Sequence, residues 1–207
     1  MLARLTTLLA GASLAACSVV GVRGAEEPRY QVVERVGAVE VRQYGPRVAA
    51  ETAVPGGEMD ARYAGFRRLA DYIFGDNRSR AEIAMTAPVT QQKQTIAMTA
   101  PVAQTRDAAG EWVIRFFMPA KYTMETLPVP VNPAVRLVAV PSETVAVLRF
   151  SGSTAPEAVA ARQDALLRAL ADSTWRPEGT PVAWFYDPPW TLPPFRRNEV
   201  AVPVARR

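Results

Sequence analysis

Histidine is absent from this 207-residue chain, and cysteine occurs only once, as Cys17. Without histidine, the chain has no Ser-His-Asp or Cys-His catalytic relay and no imidazole ligand for a metal. A single cysteine excludes an intrachain disulfide and a metal site built from several cysteines. These two absences remove the function classes that depend on a histidine base or on a thiolate cluster.

Lysine is scarce as well, because Lys93 and Lys121 are the only two, so arginine supplies nearly all of the positive charge. The 24 basic and 20 acidic residues give a net charge of +4, spread along the chain. This small imbalance gives no reason to expect a nucleic-acid partner. Hydrophobic residues make up 49% and charged residues 21% of the chain, a composition typical of a globular domain.

The first sixteen residues have the layout of a secretory signal peptide. Arg4 is followed by about a dozen apolar or small residues, fewer than the roughly 20 that a membrane-spanning helix needs. The stretch ends at Cys17, which resembles the lipidated cysteine of a bacterial lipoprotein signal. The alternative is a plain signal peptide in which the cysteine is incidental.

We therefore expect a lipoprotein signal peptide at 1–16, a lipidated Cys17 with a tether over 17–27, and a single domain over 28–204. This layout predicts a lipid-anchored protein of the bacterial cell envelope that faces the periplasm. Ser18 follows the cysteine, and by resemblance to enterobacterial sorting rules it favours the outer membrane.

Hydrophobic spacing over 28–204 predicts an α+β domain. Helical periodicity covers 59–74, ended by Gly75, and returns after Pro156. Both halves have strands, then a glycine turn, a helix and more strands, which suggests a duplicated unit. Residues 40–45 also resemble residues 146–151. The predicted strands are two around Gly37 within 30–41, then 47–54, 112–118, 135–140, 144–150, 182–186 and 199–204.

A seven-residue motif, Ile-Ala-Met-Thr-Ala-Pro-Val, occurs at 83–89 and again, letter for letter, at 96–102. Proline cannot donate a hydrogen bond to a neighbouring strand. The motif is therefore expected at strand ends or at sheet edges.

Four stretches together resemble the SOUL haem-binding protein family: residues 72–77, the doubled motif, 117–128, and 186–200 with its Asp-Pro-Pro-Trp turn. The resemblance covers 28–204. It implies a pseudo-duplicated unit that forms a distorted antiparallel β-barrel flanked by two α-helices. It also implies non-covalent binding of haem or free porphyrin in a shallow apolar groove beside one helix and the Asp-Pro-Pro loop.

By this resemblance, Tyr63, Phe66 and Ala70 lie on the groove side of the first helix. The alternative is that this stripe, which continues to Ile73, is simply the core face of the helix. Arg67 and Arg68 are candidates to pair with the haem propionates, because a guanidinium binds carboxylates bidentately; a solvated helix face is the alternative.

The loop residues Trp190, Thr191 and Leu192 are expected to complete the groove, with Trp190 stacked on the porphyrin. Some relatives carry a basic residue in place of Tyr63 and another near Thr191 or Leu192. Their absence here shifts the expected binding energy towards apolar contact, at about 25 cal/mol per Å² of buried surface.

Arg196 and Arg197 have two interpretations. They either close the groove with positive charge or, as we favour, pair with acidic neighbours such as Glu199.

No histidine is available as a ligand for haem iron, so Tyr63, Met85 and Met98 are the remaining candidates. A phenol at the groove rim is the favoured alternative for Tyr63, and packing is the favoured role for the two methionines.

The sequence thus predicts a tetrapyrrole-binding envelope protein that holds or transfers haem without catalysing a reaction. The alternative is a binding module for another apolar small molecule or for a protein partner. We do not expect an enzyme, because the carboxylates and tyrosines form no recognisable catalytic arrangement.

Overall fold

The computed structural model describes residues 24–79, 93–188 and 190–207. Two α-helices and a short 3-10 helix, Pro193–Phe195, accompany twelve strands in this part of the chain. The helices are α1 (Glu58–Phe74) and α2 (Pro156–Leu170). The strands are β1 (Tyr30–Val36), β2 (Val39–Tyr44), β3 (Arg47–Val54), β4 (Asn77–Arg78), β5 (Val102–Arg106), β6 (Trp112–Phe117), β7 (Val129–Pro130), β8 (Arg136–Val140), β9 (Glu143–Phe150), β10 (Trp175–Pro177), β11 (Val182–Phe185) and β12 (Asn198–Arg206).

One ten-stranded sheet holds most of these strands, in the order β1-β2-β9-β12-β11-β5-β6-β3-β8, with β10 on the end of β12. The ladders between these strands are antiparallel, and β4 and β7 form a separate pair. The predicted α+β class with two helices is confirmed. Within the described residues β1 and β8 do not pair with each other, so the sheet is open and the expected barrel closure is not confirmed.

The predicted duplication is visible in the strand order. Apart from β1 and the short strands β4, β7 and β10, each half runs through two strands, a helix and two strands: β2-β3-α1-β5-β6 and then β8-β9-α2-β11-β12. The halves meet where β5 pairs with β11, and the first strand of each half pairs with the other half, β2 with β9 and β8 with β3. Residues 40–45 and 146–151, which resemble each other in sequence, lie in β2 and β9. These two strands are hydrogen-bonded neighbours, and they do not occupy equivalent positions in the two halves.

Most predicted boundaries agree with the structure to within one or two residues. The strand over 47–54 is found as predicted, α1 begins one residue earlier, and β12 is longer. Gly75 ends α1 with φ 129°, a left-handed conformation that favours glycine. The second copy of the doubled motif ends where β5 begins, as expected, whereas the first copy lies outside the described residues.

Both helices pack on the same face of the sheet. Alternate residues of a strand point to opposite faces, so β6 directs Ile114 and Phe116 towards α1 and Phe117 away from it. In the other half, Val200 packs in the core beneath α2, while Trp184 of β11 lies in a separate cluster on the opposite face. Neither apolar cluster on that opposite face includes a described helix residue. None of the helices in the described residues is long and apolar enough to cross a membrane.

Gly65 allows α1 to lie close against β6. A Cβ atom at this position would be 2.8 Å from Cβ of Ile114 and closer still to its Cγ1. Ile114 is fully buried, so its side chain has no space into which it can move. The absence of a side chain at Gly65 thus sets the distance between helix and sheet.

We predict that Gly65→Ala destabilises the fold by up to about 2 kcal/mol, because an overpacking cost of about 1–3 kcal/mol is only partly offset by the roughly 1 kcal/mol gain in helix propensity. Urea denaturation measures the change in the free energy of unfolding. The same substitution made in an Ile114→Ala background is expected to cost less, because the added methyl then has room. An equal cost in both backgrounds would contradict the steric explanation.

Candidate functional site

The side of α1 that packs on the core is not the stripe of Tyr63, Phe66, Ala70 and Ile73 that the hydrophobic spacing offered as a core face. The predicted stripe is divided, because Ile73 is buried whereas Tyr63 is 52% and Phe66 38% exposed. Tyr63 and Phe66 are therefore not core residues, and Ala70 is half-buried between the two environments. The buried residues of the helix are Ala61, Gly65, Leu69, Tyr72 and Ile73.

The outer side of α1 carries three exposed aromatic rings. One side of the helix is shared by residues that lie three, four, seven and eleven positions after Tyr63, namely Phe66, Arg67, Ala70 and Phe74. We call these five residues the aromatic face of α1. Phe74 is 60% exposed. It lies eleven residues after Tyr63, and this spacing could have identified it from the sequence as a member of the same helix side.

Two further contacts fix the orientation of this face. The Phe66 ring meets the buried Phe116 ring edge-on, with centroids 5.3 Å apart. Arg68 donates through Nη1 to Oγ1 of Thr52 at 2.6 Å and to the carbonyl of Ala53 at 3.2 Å, so it is attached to β3.

Arg67 is exposed and has no hydrogen bond or ion pair with the residues that the structure describes. Of the two predicted cations, Arg67 is therefore the one available to a ligand.

Arg62 places this half of α1 beside the Asp-Pro-Pro-Trp loop. No motif in the sequence marks this residue. Its guanidinium carbon lies 4.1 Å from the ring centroid of Phe185, the last residue of β11, after which the loop begins. Its Nη1 donates to the carbonyl of Thr154 at 3.1 Å. Two residues earlier, the N–H of Gly152 donates to the carbonyl of Pro193 within the loop at 2.9 Å.

The three loop residues expected in the groove have different environments. Trp190 is 63% and Leu192 48% exposed, so both present apolar surface to solvent. Thr191 is completely buried, and its carbonyl accepts a 2.7 Å hydrogen bond from Nε of Arg196. Thr191 and Arg196 thus hold the loop together, while Trp190 and Leu192 remain exposed, and their contact with a ligand stays a prediction.

A buried ionic cluster surrounds Glu199 on the sheet face away from the helices. Arg42 binds Glu199 through both terminal nitrogens, at 2.9 and 3.2 Å. The Tyr186 hydroxyl donates to the same carboxylate at 2.6 Å, and Arg197 adds a contact at 3.0 Å. Arg197 also pairs with Glu27 at 2.9 Å. The favoured pairing of Arg197 with Glu199 is confirmed, so this part of the Arg-Arg-Asn-Glu run serves the structure.

The cluster shifts the ionisation of its members. Burial alone would raise the pKa of Glu199, but hydrogen bonds from Arg42 and Tyr186 and the charges of both arginines hold that pKa below its usual value. Burial raises the pKa of Tyr186, and the charge of Glu199 raises it further. Burial likewise raises the pKa of Tyr44 to about 12. Glu199 is therefore an anion and both tyrosines are neutral at physiological pH.

Of the candidate iron ligands, Tyr63 and Met98 are both partly exposed, at 52% and 39%. Met85 and Cys17 lie outside the described residues. No group of three acidic, cysteine or histidine side chains in the described residues could hold a metal ion. On the aromatic face of α1, Tyr63 is the residue whose side chain carries an atom able to bind iron.

The family model of the SOUL heme-binding protein matches residues 25–203, nearly the whole chain. This chain belongs to the SOUL family. Human heme-binding protein 2 is 44% identical to this chain over 55 residues. That match spans 26% of this chain and 27% of the human protein.

Solved structures show the same fold as this SOUL domain. The C-terminal domain of EcmrR superimposes with a TM-score of 0.53, covering 86% of this chain and 99% of that domain at 11% identity. EcmrR in a complex with DNA, determined by cryo-electron microscopy, gives a TM-score of 0.55 at 11% identity. The match covers all of this chain and 65% of the EcmrR chain. At this level of identity the likeness concerns the fold alone.

We predict that Glu199→Gln destabilises the SOUL domain by about 3–5 kcal/mol, because Arg42 and Arg197 lose the buried anion that both of them contact. The lowered pKa of Glu199 means that its stabilising effect is present at neutral pH and is lost as pH falls below about 4.3, the unfolded value. The variant should therefore lose less stability than the wild type on acidification. Urea denaturation at several pH values measures both effects.

Glu178→Gln is the control for this prediction, because Glu178 pairs with Arg176 at an exposed position. Its effect should stay within about 0.5 kcal/mol. Equal losses in the two variants would show that burial of the Glu199 cluster is irrelevant to stability.

Proposed function

We propose that this SOUL family member holds or transfers haem or free porphyrin between the aromatic face of α1 and the loop that carries Trp190 and Leu192. The observation that carries this proposal is the exposure of three aromatic rings beside Arg67, on a helix whose other side is closely packed. Large contiguous apolar patches on a protein surface often mark a binding site. The name of the human relative, heme-binding protein 2, supports a tetrapyrrole as the ligand.

The chemistry of this surface fits a tetrapyrrole. The rings of Tyr63, Phe66 and Trp190 offer flat apolar area to the macrocycle, and each 100 Å² buried contributes about 2.5 kcal/mol. Arg67, which has no hydrogen bond or ion pair among the described residues, can donate to a propionate. The absence of histidine makes apolar contact the main source of affinity, with Tyr63 as the side chain on this face able to reach iron. A carrier without catalytic activity is the role that these residues support.

The second candidate is a binding module for another apolar small molecule or for a protein partner. The observation in its favour is that Arg67 is the single cation on the aromatic face of α1, whereas a porphyrin carries two propionates. Native mass spectrometry of protein purified from its own host distinguishes the two candidates, since it shows which ligand stays bound.

We also propose that the domain is attached to the outside of a bacterial inner membrane or to an outer membrane, facing the periplasm, through a lipid on Cys17. The signal-like stretch at 1–16 and the position of the single cysteine support this placement. A tether from Cys17 to the start of the domain would keep the groove close to a membrane from which haem could be taken or to which it could be passed.

Haem titration followed by the Soret absorbance tests the ligand proposal. We expect a saturable shift at micromolar haem, and a loss of at least tenfold in affinity, about 1.4 kcal/mol, in Phe66→Asp, because the carboxylate repels propionates and removes apolar contact. Val33→Asp is the control, since Val33 is also exposed but lies on β1. The proposal fails if no saturable shift appears or if both variants lose affinity equally.

The anchoring proposal predicts a mature protein that begins at Cys17 and carries a covalent lipid. Mass spectrometry of the protein expressed in a Gram-negative bacterium measures the N-terminal residue and its modification. Cys17→Ser should remain unlipidated and leave the membrane fraction, while its haem titration stays unchanged. An unmodified mature cysteine in the wild type would refute the anchor.

A further inference from the structure

The doubled motif extends beyond its seven identical residues into the strand that follows it. Residues 83–93 and 96–106 are identical at eight of eleven positions, because a glutamine, Gln91 or Gln104, also recurs two positions after the motif. The second copy includes all of β5. Residues 83–92 lie outside the described part of the chain, so the two copies are compared as sequences. The first copy thus contains a second sequence suited to the same strand.

The buried positions of the second copy are the ones that the first copy repeats. Five of its eleven residues are buried: Ile96, Thr99, Ala100, Pro101 and Gln104. Each has the identical residue thirteen positions earlier. The three differences fall at half-buried or exposed positions, where Ala103, Thr105 and Arg106 correspond to Thr90, Gln92 and Lys93. Both copies therefore offer the same set of side chains to the closely packed interior.

Hydrogen bonds between main-chain atoms hold the start of the second copy. The N–H of Ile96 donates to the carbonyl of Ile73 at 2.7 Å, and the N–H of Ala100 donates to the carbonyl of Glu26 at 2.9 Å. Neither bond depends on the identity of a side chain. The side chain of Ile96 is completely buried, and Ile83 is the residue that the first copy would bring to its place.

Gln104 holds the strand itself through its side chain. Its Oε1 accepts from Nε of Arg62 at 2.5 Å, and its Nε2 donates to the carbonyl of Glu58 at 3.0 Å. This buried position requires a side chain that both donates and accepts hydrogen bonds. Gln91 meets that requirement in the first copy.

The lengths of the connecting segments allow the two copies to exchange. Seventeen residues, 79–95, separate β4 from Ile96, and five residues, 107–111, separate β5 from β6. With the first copy in the sheet, these connections become four residues, 79–82, and eighteen residues, 94–111. Because the entropy of loop closure varies with the logarithm of loop length, the combined cost of the two connections is nearly the same in both arrangements.

Asn77 shows how the shorter connection can be closed. Its Oδ1 accepts from the N–H of Gln94 at 3.0 Å, and its Nδ2 donates to the carbonyl of Gln94 at 2.7 Å. Both partner atoms belong to the main chain, so Ala81, thirteen residues before Gln94, can take the same place. The four Cα–Cα steps from Asn77 to Ala81 span up to about 13 Å, which exceeds the separation of two residues joined by one asparagine side chain.

We propose that β5 forms in two registers that lie thirteen residues apart, with residues 83–93 replacing 96–106 between β11 and β6 in the second register. The register seen in the structure is favoured, because the Asp107 carboxylate accepts from the N–H groups of Ala109 and Glu111, at 3.0 and 2.9 Å, in the tight β5–β6 turn. Exchange moves thirteen residues from the segment after α1 to the β5–β6 loop. The proposal does not rest on haem binding at α1.

Substitution of the buried isoleucines in the full chain tests this exchange. Leu69→Asp, at an equally buried position of the same apolar cluster that no repeat duplicates, should lower Tm by at least about 10 °C or abolish the cooperative transition. Ile96→Asp should lower Tm by less than half as much, because Ile83 then fills the buried place. Ile83→Asp alone should shift Tm by less than about 2 °C. The combination of Ile83→Asp with Ile96→Asp should lose as much as Leu69→Asp.

Disulfide trapping reports the register directly, in a chain whose own thiol is removed by Cys17→Ser. Thr105→Cys with Val113→Cys joins residues that lie opposite each other in the described β5–β6 ladder. Gln92→Cys with Val113→Cys joins the corresponding places in the second register. With oxidised glutathione, the first pair should form its disulfide readily. Adding Ile96→Asp should reduce that yield at least about fivefold and make the second disulfide the major product of its own pair.

Gln94→Cys with Val113→Cys is the control for trapping, because residue 94 lies opposite Val113 in neither register, and this pair should stay reduced. Three results would overturn the proposal. One is an equal loss of stability in Ile96→Asp and Leu69→Asp, and another is a double variant as stable as Ile96→Asp. The third is a yield for the Gln92→Cys pair that does not exceed the control in the Ile96→Asp background.

Discussion

The exchange of first strands between the two halves is the constraint on which the rest of this structure depends. β2 pairs with β9 and β8 pairs with β3, so neither half can complete its part of the sheet without the other. The exchange also brings Arg42 of β2 within reach of Glu199 of β12, and the buried ion pair thus joins strands from both halves. Because such a pair is costly to break, it resists separation of the halves once the sheet has formed.

Covering only one face of this sheet with helices gives the molecule two different surfaces. On the helical side, the close approach of Gly65 to Ile114 turns Tyr63, Phe66 and Phe74 outward and makes an aromatic surface beside the loop of Trp190. On the other side, where no described helix residue joins the apolar clusters, residues of the strands form the Glu199 cluster and the rings around Arg47. The proposed haem site and the Glu199 cluster therefore follow from the same architectural asymmetry.

Much of the fold was predictable because local patterns report local structure. The helix over 59–74, its glycine end at Gly75 and the strand over 47–54 all follow from hydrophobic periodicity and turn residues. The orientation of α1 was not predictable in the same way. Tyr63, Phe66 and Ile73 have compatible helical spacing, but the helix buries Ile73 and exposes the other two, because Gly65 decides which side meets the sheet.

The sequence by itself determined the exclusions, the class of fold and the family resemblance: no histidine chemistry, no disulfide, and two helices on antiparallel strands. Only the tertiary structure decided which charged residues are buried and which have partners. Arg42, Arg47 and Arg67 are the same residue type. Among the described residues, however, Arg42 is fully paired, Arg47 is buried with two unpaired nitrogens, and Arg67 is exposed. The reason is that the hydrogen-bond partners of a buried arginine come from strands far away in the sequence, which meet only when the sheet is assembled.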